Sequence, residues 1–321
     1  MLNKSQSTVR VLGGLGNQLF GFFFGLAISK ELNSKLILDP CLINFGSNSN
    51  RELTLNRLDL IYEKTEIKEN SIKISRFISR SRLLKLIYWK YLNSFTKNVK
   101  EVDLSNPKFR FRSNQIFQGY FQNWFYVDRF SELSPKFDLS LKQASKNFQE
   151  TLKELQRNNP ICIHLREGDY LQFPEIYKII PQKYFDFALN LELEKDTQRE
   201  VWIFTEQKEL LQEYKSEFLN KAARIIDKNS GLSELESFLL MAKCNTLIAT
   251  NSTYSLWAAW FVWKNGNMAY VPFQSYIAGV GNDLMDERWN RYDFEKDVFY
   301  PGKFNQEKYE QLVREFLSKF S

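Results

Sequence analysis

Thr246-Leu247-Ile248-Ala249-Thr250-Asn251-Ser252-Thr253-Tyr254-Ser255-Leu256-Trp257 reads as a buried strand that stops in a run of hydroxyl and amide side chains and reopens as a helix. The strand is expected over 246–250, the turn at 251–253 and the helix over 254–263. The same grammar recurs upstream. Strands are expected at 161–165, 201–205 and 224–226, with helices at 182–193, 209–219 and 233–242 between and after them. Ser233 and Glu236 fit a capping box at the start of the last of these helices. Regular alternation of this kind implies a parallel sheet wrapped by helices.

The first half opens in the same way. A short strand at 8–12 runs into Gly13-Gly14-Leu15-Gly16, and an apolar helix is expected over 17–32. A second strand at 35–38 is closed by Asp39-Pro40. Helical spacing reappears at 140–156 and again at the C-terminal end, where Tyr309, Leu312, Val313, Phe316, Leu317 and Phe320 share a face. At 321 residues the chain exceeds the size at which one core splits. The boundary is expected near residue 150. This gives an N-terminal α/β domain, 1–150, and a C-terminal α/β domain, 151–321, whose last helix packs back on the first. A cleft is expected between the two.

Composition narrows the chemistry. Hydrophobic residues make up 43% and aromatics 16%, enough for packed cores and against disorder. No apolar run reaches 18 residues, so no spanning helix is expected. The polar start, residues 1–7, lacks a secretory pattern, and cytoplasmic residence is expected. Three scattered cysteines without a C-x-x-C argue against a disulfide framework or zinc cage. The single histidine, His164, excludes multi-histidine metal sites. Net charge is only +6, and no basic–aromatic nucleic-acid motif occurs, so a nucleic-acid partner is not expected. Residues 71–100 stand apart, with eight basic residues and no acid, interleaved with Leu83, Leu84, Leu86, Ile87, Trp89 and Leu92. Two readings stay open: a helix packed on one face with a solvated basic face, or peripheral contact with an anionic membrane on the inner face of the plasma membrane.

Open α/β sheets bind ligands beyond the carboxyl ends of their strands, so polar residues there are the candidates. At the first glycine turn, Gly14 and Gly16 let backbone approach an anion, and Asn17-Gln18 adds two amide side chains suited to hydroxyl or phosphate recognition. A tight strand–helix connection is the plainer reading. Strand 161–165 ends in His164-Leu165-Arg166-Glu167-Gly168-Asp169-Tyr170. A guanidinium such as Arg166 grips a diphosphate through paired charge-assisted bonds of about 1.5–3 kcal/mol each. The bland alternative is a structural Arg–Asp pair with His164 as a core imidazole. Asn251, Ser252, Thr253 and Tyr254 offer hydroxyls and helix-start amides to the same anion, or simply cap the helix. Phe204-Thr205-Glu206 puts a carboxylate at another strand end.

Taken in order, GGLGNQLF at 13–20, H-x-R-x-G-D-Y at 164–170, IFTE at 203–206 and ATNSTYSLWAAW at 249–260 resemble the bacterial α-1,2-fucosyltransferases. The resemblance implies a GT-B architecture of two Rossmann-like domains, residues 1–150 on the acceptor side and residues 151–321 binding GDP-fucose. It also implies inverting transfer of L-fucose from GDP-fucose, a co-substrate, to the 2-hydroxyl of a galactose-containing oligosaccharide or lipid-linked acceptor, with no metal or other cofactor. By motif, Gly14, Gly16 and Asn17 border the donor. His164 and Arg166 hold diphosphate and fucose, and Ser252, Thr253 and Tyr254 close around the nucleotide, with Asn251 and Glu206 adjoining.

Family members commonly carry a second arginine where Glu167 stands, and an Asp-Leu pair where Ser237-Phe238 stands; Glu236 is then the candidate for guanine or ribose contact. Asp169 is the first choice as general base, ahead of Glu167 and Glu206. Two competing classes remain. One is a nicotinamide-dependent oxidoreductase, against which Leu19 stands where a third glycine is needed. The other is a catalytically silent nucleotide-sugar-binding protein.

Overall fold

The computed structural model describes residues 5–44, 52–59, 65–94, 108, 110–133, 139–166, 176–206, 211, 221–274 and 284–320. The chain divides into two units, residues 1–142 with 306–321, and residues 143–305.

In the first unit, β1 (Gln6–Arg10), β2 (Lys35–Asp39), β3 (Thr65–Ile67) and β4 (Gln115–Gln118) form a parallel sheet in the order β3-β2-β1-β4. The helix α1 (Leu15–Glu31) is apolar all round, and its buried face is nearly its whole surface. Phe24 stacks on Phe121 at 3.9 Å, and Phe23 meets Phe130 edge-on at 5.6 Å. Gly25 lets this helix lie close on the sheet: a Cβ there would meet Leu36 Cδ1 at 2.6 Å and Val9 Cγ2 at 3.0 Å. Two helices, α2 (Glu69–Ser79) and α3 (Arg82–Ser94), follow β3, and α4 (Trp124–Leu133) packs on α1. The C-terminal helix α9 (Gln306–Leu317) belongs to this unit, where Phe316 meets Phe111 and Phe125 at 5.5 and 5.3 Å.

The second unit begins with α5 (Lys146–Asn158), capped by Ser145, whose side chain accepts from Phe148 N at 3.0 Å. Its sheet contains β5 (Ile161–Leu165), β6 (Val201–Thr205), β7 (Ala222–Ile226), β8 (Thr246–Ile248), β9 (Met268–Pro272), β10 (Asn290–Asp293) and β11 (Val298–Tyr300). The spatial order is β11-β10-β9-β8-β5-β6-β7, parallel throughout except for the antiparallel β10–β11 edge. Read from β7 to β10 this is the doubly wound order 3-2-1-4-5-6, with its topological switch point between β5 and β8. Every residue of β5 and β6 is buried, as expected of strands covered on both faces. Helices α6 (Gln182–Leu193), α7 (Glu234–Ala242) and α8 (Thr253–Lys264) cover the sheet. The helix expected at 209–219 falls outside the described residues apart from Leu211.

Candidate functional site

Arg166 and Thr250 mark the two strand ends of the second unit's switch point, and the fold explains why polar groups gather there. β5 is apolar until His164, which is 4% exposed, and the strand ends at Leu165, directly before Arg166. Across the switch point His164 Nδ1 meets Thr250 Oγ1 at 3.2 Å. Beyond Thr250 the chain must reverse into α8. Ser255 secures the turn by accepting from Thr250 N at 3.0 Å, while Ser252 takes the N-cap position and its side chain makes no capping bond. The first-turn amides of α8 therefore start beside the end of β5, an arrangement that suits an anion.

A pocket of ≈ 430 Å³ opens at the carboxyl ends of β5, β6 and β7. It is lined by His164, Arg166, Thr205, Glu206, Asp227, Lys228, Glu234, Ser237 and Tyr254, with an apolar floor from Phe204, Ile226, Leu232 and Met241. Arg166 Nη1 donates to Glu206 Oε1 at 2.7 Å, so two neighbouring strand tips face each other as an ion pair; Glu206 is 59% exposed. The His164 and Tyr254 rings lie 5.6 Å apart, and the Tyr254 hydroxyl donates to the Glu234 carbonyl at 2.6 Å. Burial pushes the Tyr254 phenol up, so it stays protonated and donating.

Burial, and next the Arg166 charge, push the His164 imidazole down to about 3. The ring is therefore neutral at physiological pH. Its folded value lies below that of an unfolded histidine, about 6.5. The stability it contributes is thus complete above that value and is lost as pH falls from about 6.5 toward 3. Between pH 7 and pH 5, where carboxylates barely titrate, this one group is expected to lower the unfolding free energy by about 2 kcal/mol. Urea titrations at the two pH values measure the loss. His164→Asn should flatten the dependence, and equal slopes in both proteins would contradict a neutral buried imidazole.

The structure thus brings His164, Arg166, Glu206 and Tyr254 to one pocket. Ser252 and Thr253 precede Tyr254 at the start of α8 without lining that pocket. Asn251 is 4% exposed, and its amide donates to the Lys178 carbonyl at 2.8 Å. Glu167 and Asp169 lie outside the described residues.

Glu236, expected to face a ligand, is instead occupied within the protein. One carboxylate oxygen accepts from Ser233 N and Oγ at 2.8 and 2.9 Å, and the other accepts from Ser145 N at 2.9 Å. Burial alone would push this carboxyl up, but those hydrogen bonds outweigh it and hold it below the usual carboxylate range.

In the first unit the glycine turn leaves β1 at the switch point between β1 and β4. Gly13 has φ +69°, and a Cβ there would meet Asn17 Nδ2 at 2.7 Å. Gly14 is the N-cap of α1 and Gly16 is buried in its first turn. Asn17 accepts from Gln122 Nε2 at 2.8 Å, a partner from beyond β4 that sequence reading missed. Gln18 was expected to present its amide alongside Asn17. It is 1% exposed instead and ties the turn together, donating to the Gly13 and Glu52 carbonyls and accepting from Thr54 N at 2.9 Å.

The pocket also contains Asp227, Lys228 and Glu234, none singled out from sequence. The signal was present: Asp227 directly follows β7, a third strand tip on the same edge. Among the described residues no group of three or more His, Cys, Asp or Glu side chains could hold a metal ion.

Comparison with known proteins adds to this geometry. Residues 8–276 match the model of glycosyl transferase family 11. The O-antigen biosynthesis glycosyltransferase WbnK of Escherichia coli is 26% identical over 297 residues, covering 86% of this chain and 97% of that one. An α-1,2-colitosyltransferase of the same species is 25% identical, covering 88% and 98%. Among solved structures, the NodZ α-1,6-fucosyltransferase soaked with GDP-fucose superposes with a TM-score of 0.51 at 11% identity, over 94% of this chain and all of that one. That likeness concerns the fold, an α/β architecture of GT-B type.

Proposed function

The chain belongs to glycosyl transferase family 11, and from that premise we propose that it transfers L-fucose from GDP-fucose to the 2-hydroxyl of a galactoside, with inversion and without a metal ion. The observation that carries the donor reading is Arg166 in the lining of the second unit's pocket, beside the switch point where sheets of this order bind nucleotides. The names of relatives that act in O-antigen biosynthesis and on an α-1,2 linkage support the acceptor side.

In this reading the acceptor oxygen forms a bond to the fucose anomeric carbon as the bond from that carbon to the β-phosphate oxygen breaks. GDP leaves with the electron pair, and Arg166 meets the charge that grows on it. Neutral His164 adds a hydrogen bond without a competing charge. Glu206, at the tip of the second strand of the doubly wound order, would accept from ribose hydroxyls, as acids at that position do in dinucleotide folds. The hydroxyl proton passes to a carboxylate, for which Asp169 is the first choice. Glu206 follows Glu167, because one of its oxygens already accepts from Arg166.

The test is turnover of GDP-fucose against a panel of galactosides, with the linkage of the product read by NMR. A colitose donor forms a second arm, prompted by the colitosyltransferase relative. An α-1,2-fucosylated product is expected, and Asp169→Asn should lower turnover while GDP affinity holds. Transfer from the colitose donor alone would overturn the donor assignment. A thermal shift with NAD and none with GDP would overturn the whole reading in favour of an oxidoreductase.

A further inference from the structure

The amphipathic pattern of α2 and α3 points the wrong way for a helix pair that packs on its own protein. Among the described side chains of α3 only Leu92 is buried, while Leu83 is 66% exposed, Leu86 61%, Ile87 57% and Trp89 41%. Lys85, by contrast, lies half-buried between these exposed apolar neighbours. Positions 83, 86, 87 and 90 follow i, i+3, i+4, i+7 spacing, so three apolar side chains and Lys90 share one outward stripe. In α2 the single buried residue is Ser75, and Phe77 and Ile74 face outward. Helices normally bury their apolar face; this pair exposes it.

Charge says what covers it. Across α2 and α3, from Glu69 to Ser94, the sequence has six basic residues, Lys73, Arg76, Arg80, Arg82, Lys85 and Lys90, against one acid, Glu69 at the very start of α2. A second copy of this surface would set like charge against like charge, which disfavours a symmetric dimer through it. A protein partner would need a matched acidic, apolar groove. An anionic bilayer needs no such match, because headgroups take the basic residues while Leu, Ile, Phe and Trp enter the acyl boundary. Among the described residues no helix is long and apolar enough to cross a membrane, so the contact lies on the surface.

We propose that the outward face of α2 and α3 docks the protein on an anionic lipid surface. This does not rest on the donor assignment, and GDP binding is read separately. The experiment is co-sedimentation of the full chain with phosphatidylcholine vesicles with and without phosphatidylglycerol, at low and high salt, with sedimentation velocity in the absence of lipid. Binding is expected only with the anionic lipid, and salt should weaken it. Leu86→Ser with Ile87→Ser, and separately Arg82→Glu with Lys90→Glu, should each lower the partition coefficient by about tenfold or more. Both pairs are exposed, so melting temperature and GDP affinity should be unchanged. Absence of vesicle binding would overturn the proposal. So would equal binding by the variants, or a dimer in solution that the Leu86/Ile87 variant abolishes.

Discussion

Arg166→Ala is expected to weaken GDP binding by about a hundredfold or more while the protein folds as before. A guanidinium holding a diphosphate through two charge-assisted bonds contributes about 3 kcal/mol at the low end, and every 1.4 kcal/mol is tenfold. The opposing effect is the Glu206 pair, which the diphosphate must displace. The Glu206 side chain is 59% exposed, so solvent screens the pair, and pairs of this kind are worth about 1 kcal/mol. The diphosphate therefore wins, and alanine loses most of its hold. Turnover should fall further than affinity, since the leaving diphosphate gains charge in the transition state. Arg166→Lys should recover part of the binding, because it keeps the charge and loses the fork. Isothermal titration with GDP, alongside far-UV circular dichroism and melting, separates these outcomes. A dissociation constant within about threefold of the parent, less than 1 kcal/mol, would remove the guanidinium from the donor site.

Glu192→Ala should have a comparably large effect on stability, at the far end of the same sheet. The carboxylate is 3% exposed and accepts from Arg199 Nη1 at 2.9 Å, Lys195 Nζ at 2.6 Å and the Tyr270 hydroxyl at 2.7 Å. Arg199 also bonds the Pro160 carbonyl and Thr246 Oγ1, so the cluster stitches together the amino ends of β5, β6 and β8. Burial would push the Glu192 carboxyl up, but these donors keep it low. Removing one member of a buried ion cluster leaves an uncompensated charge and costs about 3–5 kcal/mol. For a unit of this size that corresponds to about 6–20 °C in Tm. Adding Arg199→Met to Glu192→Leu should restore much of the loss, because the stranded charge goes with it. Calorimetry checks the shift. GDP affinity measured well below Tm should not change, since the cluster lies at the opposite strand ends from the pocket. A Tm shift under about 2 °C, less than 1 kcal/mol, would mean the cluster is solvated and structurally minor.

Much of this was readable in advance because the second unit writes its strand ends in residue types. Apolar runs such as Ile161–Leu165 and Val201–Thr205 stop at Arg166 and Glu206, and buried strands allow such groups only at their tips. The edge strands were less visible. β4 and β11 have four and three residues, too few for alternation to register.

Asn17 and Gln18 look equivalent in the sequence, yet neighbours on a helix point about 100° apart. One therefore faces the turn's open side while the other is buried under it. Glu236 was visible as a capping residue. Its second oxygen is claimed by Ser145, 91 positions away, and no local pattern carries that information. The basic segment gave its charge directly. Which face it turns outward depends on where the rest of the first unit packs, and the half-buried Lys85 beside exposed Leu86 could not be read from spacing.

The most direct test is a crystal structure of the protein with GDP. The pyrophosphate is expected within hydrogen-bonding distance of the Arg166 guanidinium and of the amides opening α8, with the Arg166–Glu206 contact broken or shared. A pyrophosphate seated instead against Gly13 and Gly14, with Arg166 still paired to Glu206 and no nucleotide at β5 and β8, would contradict the account.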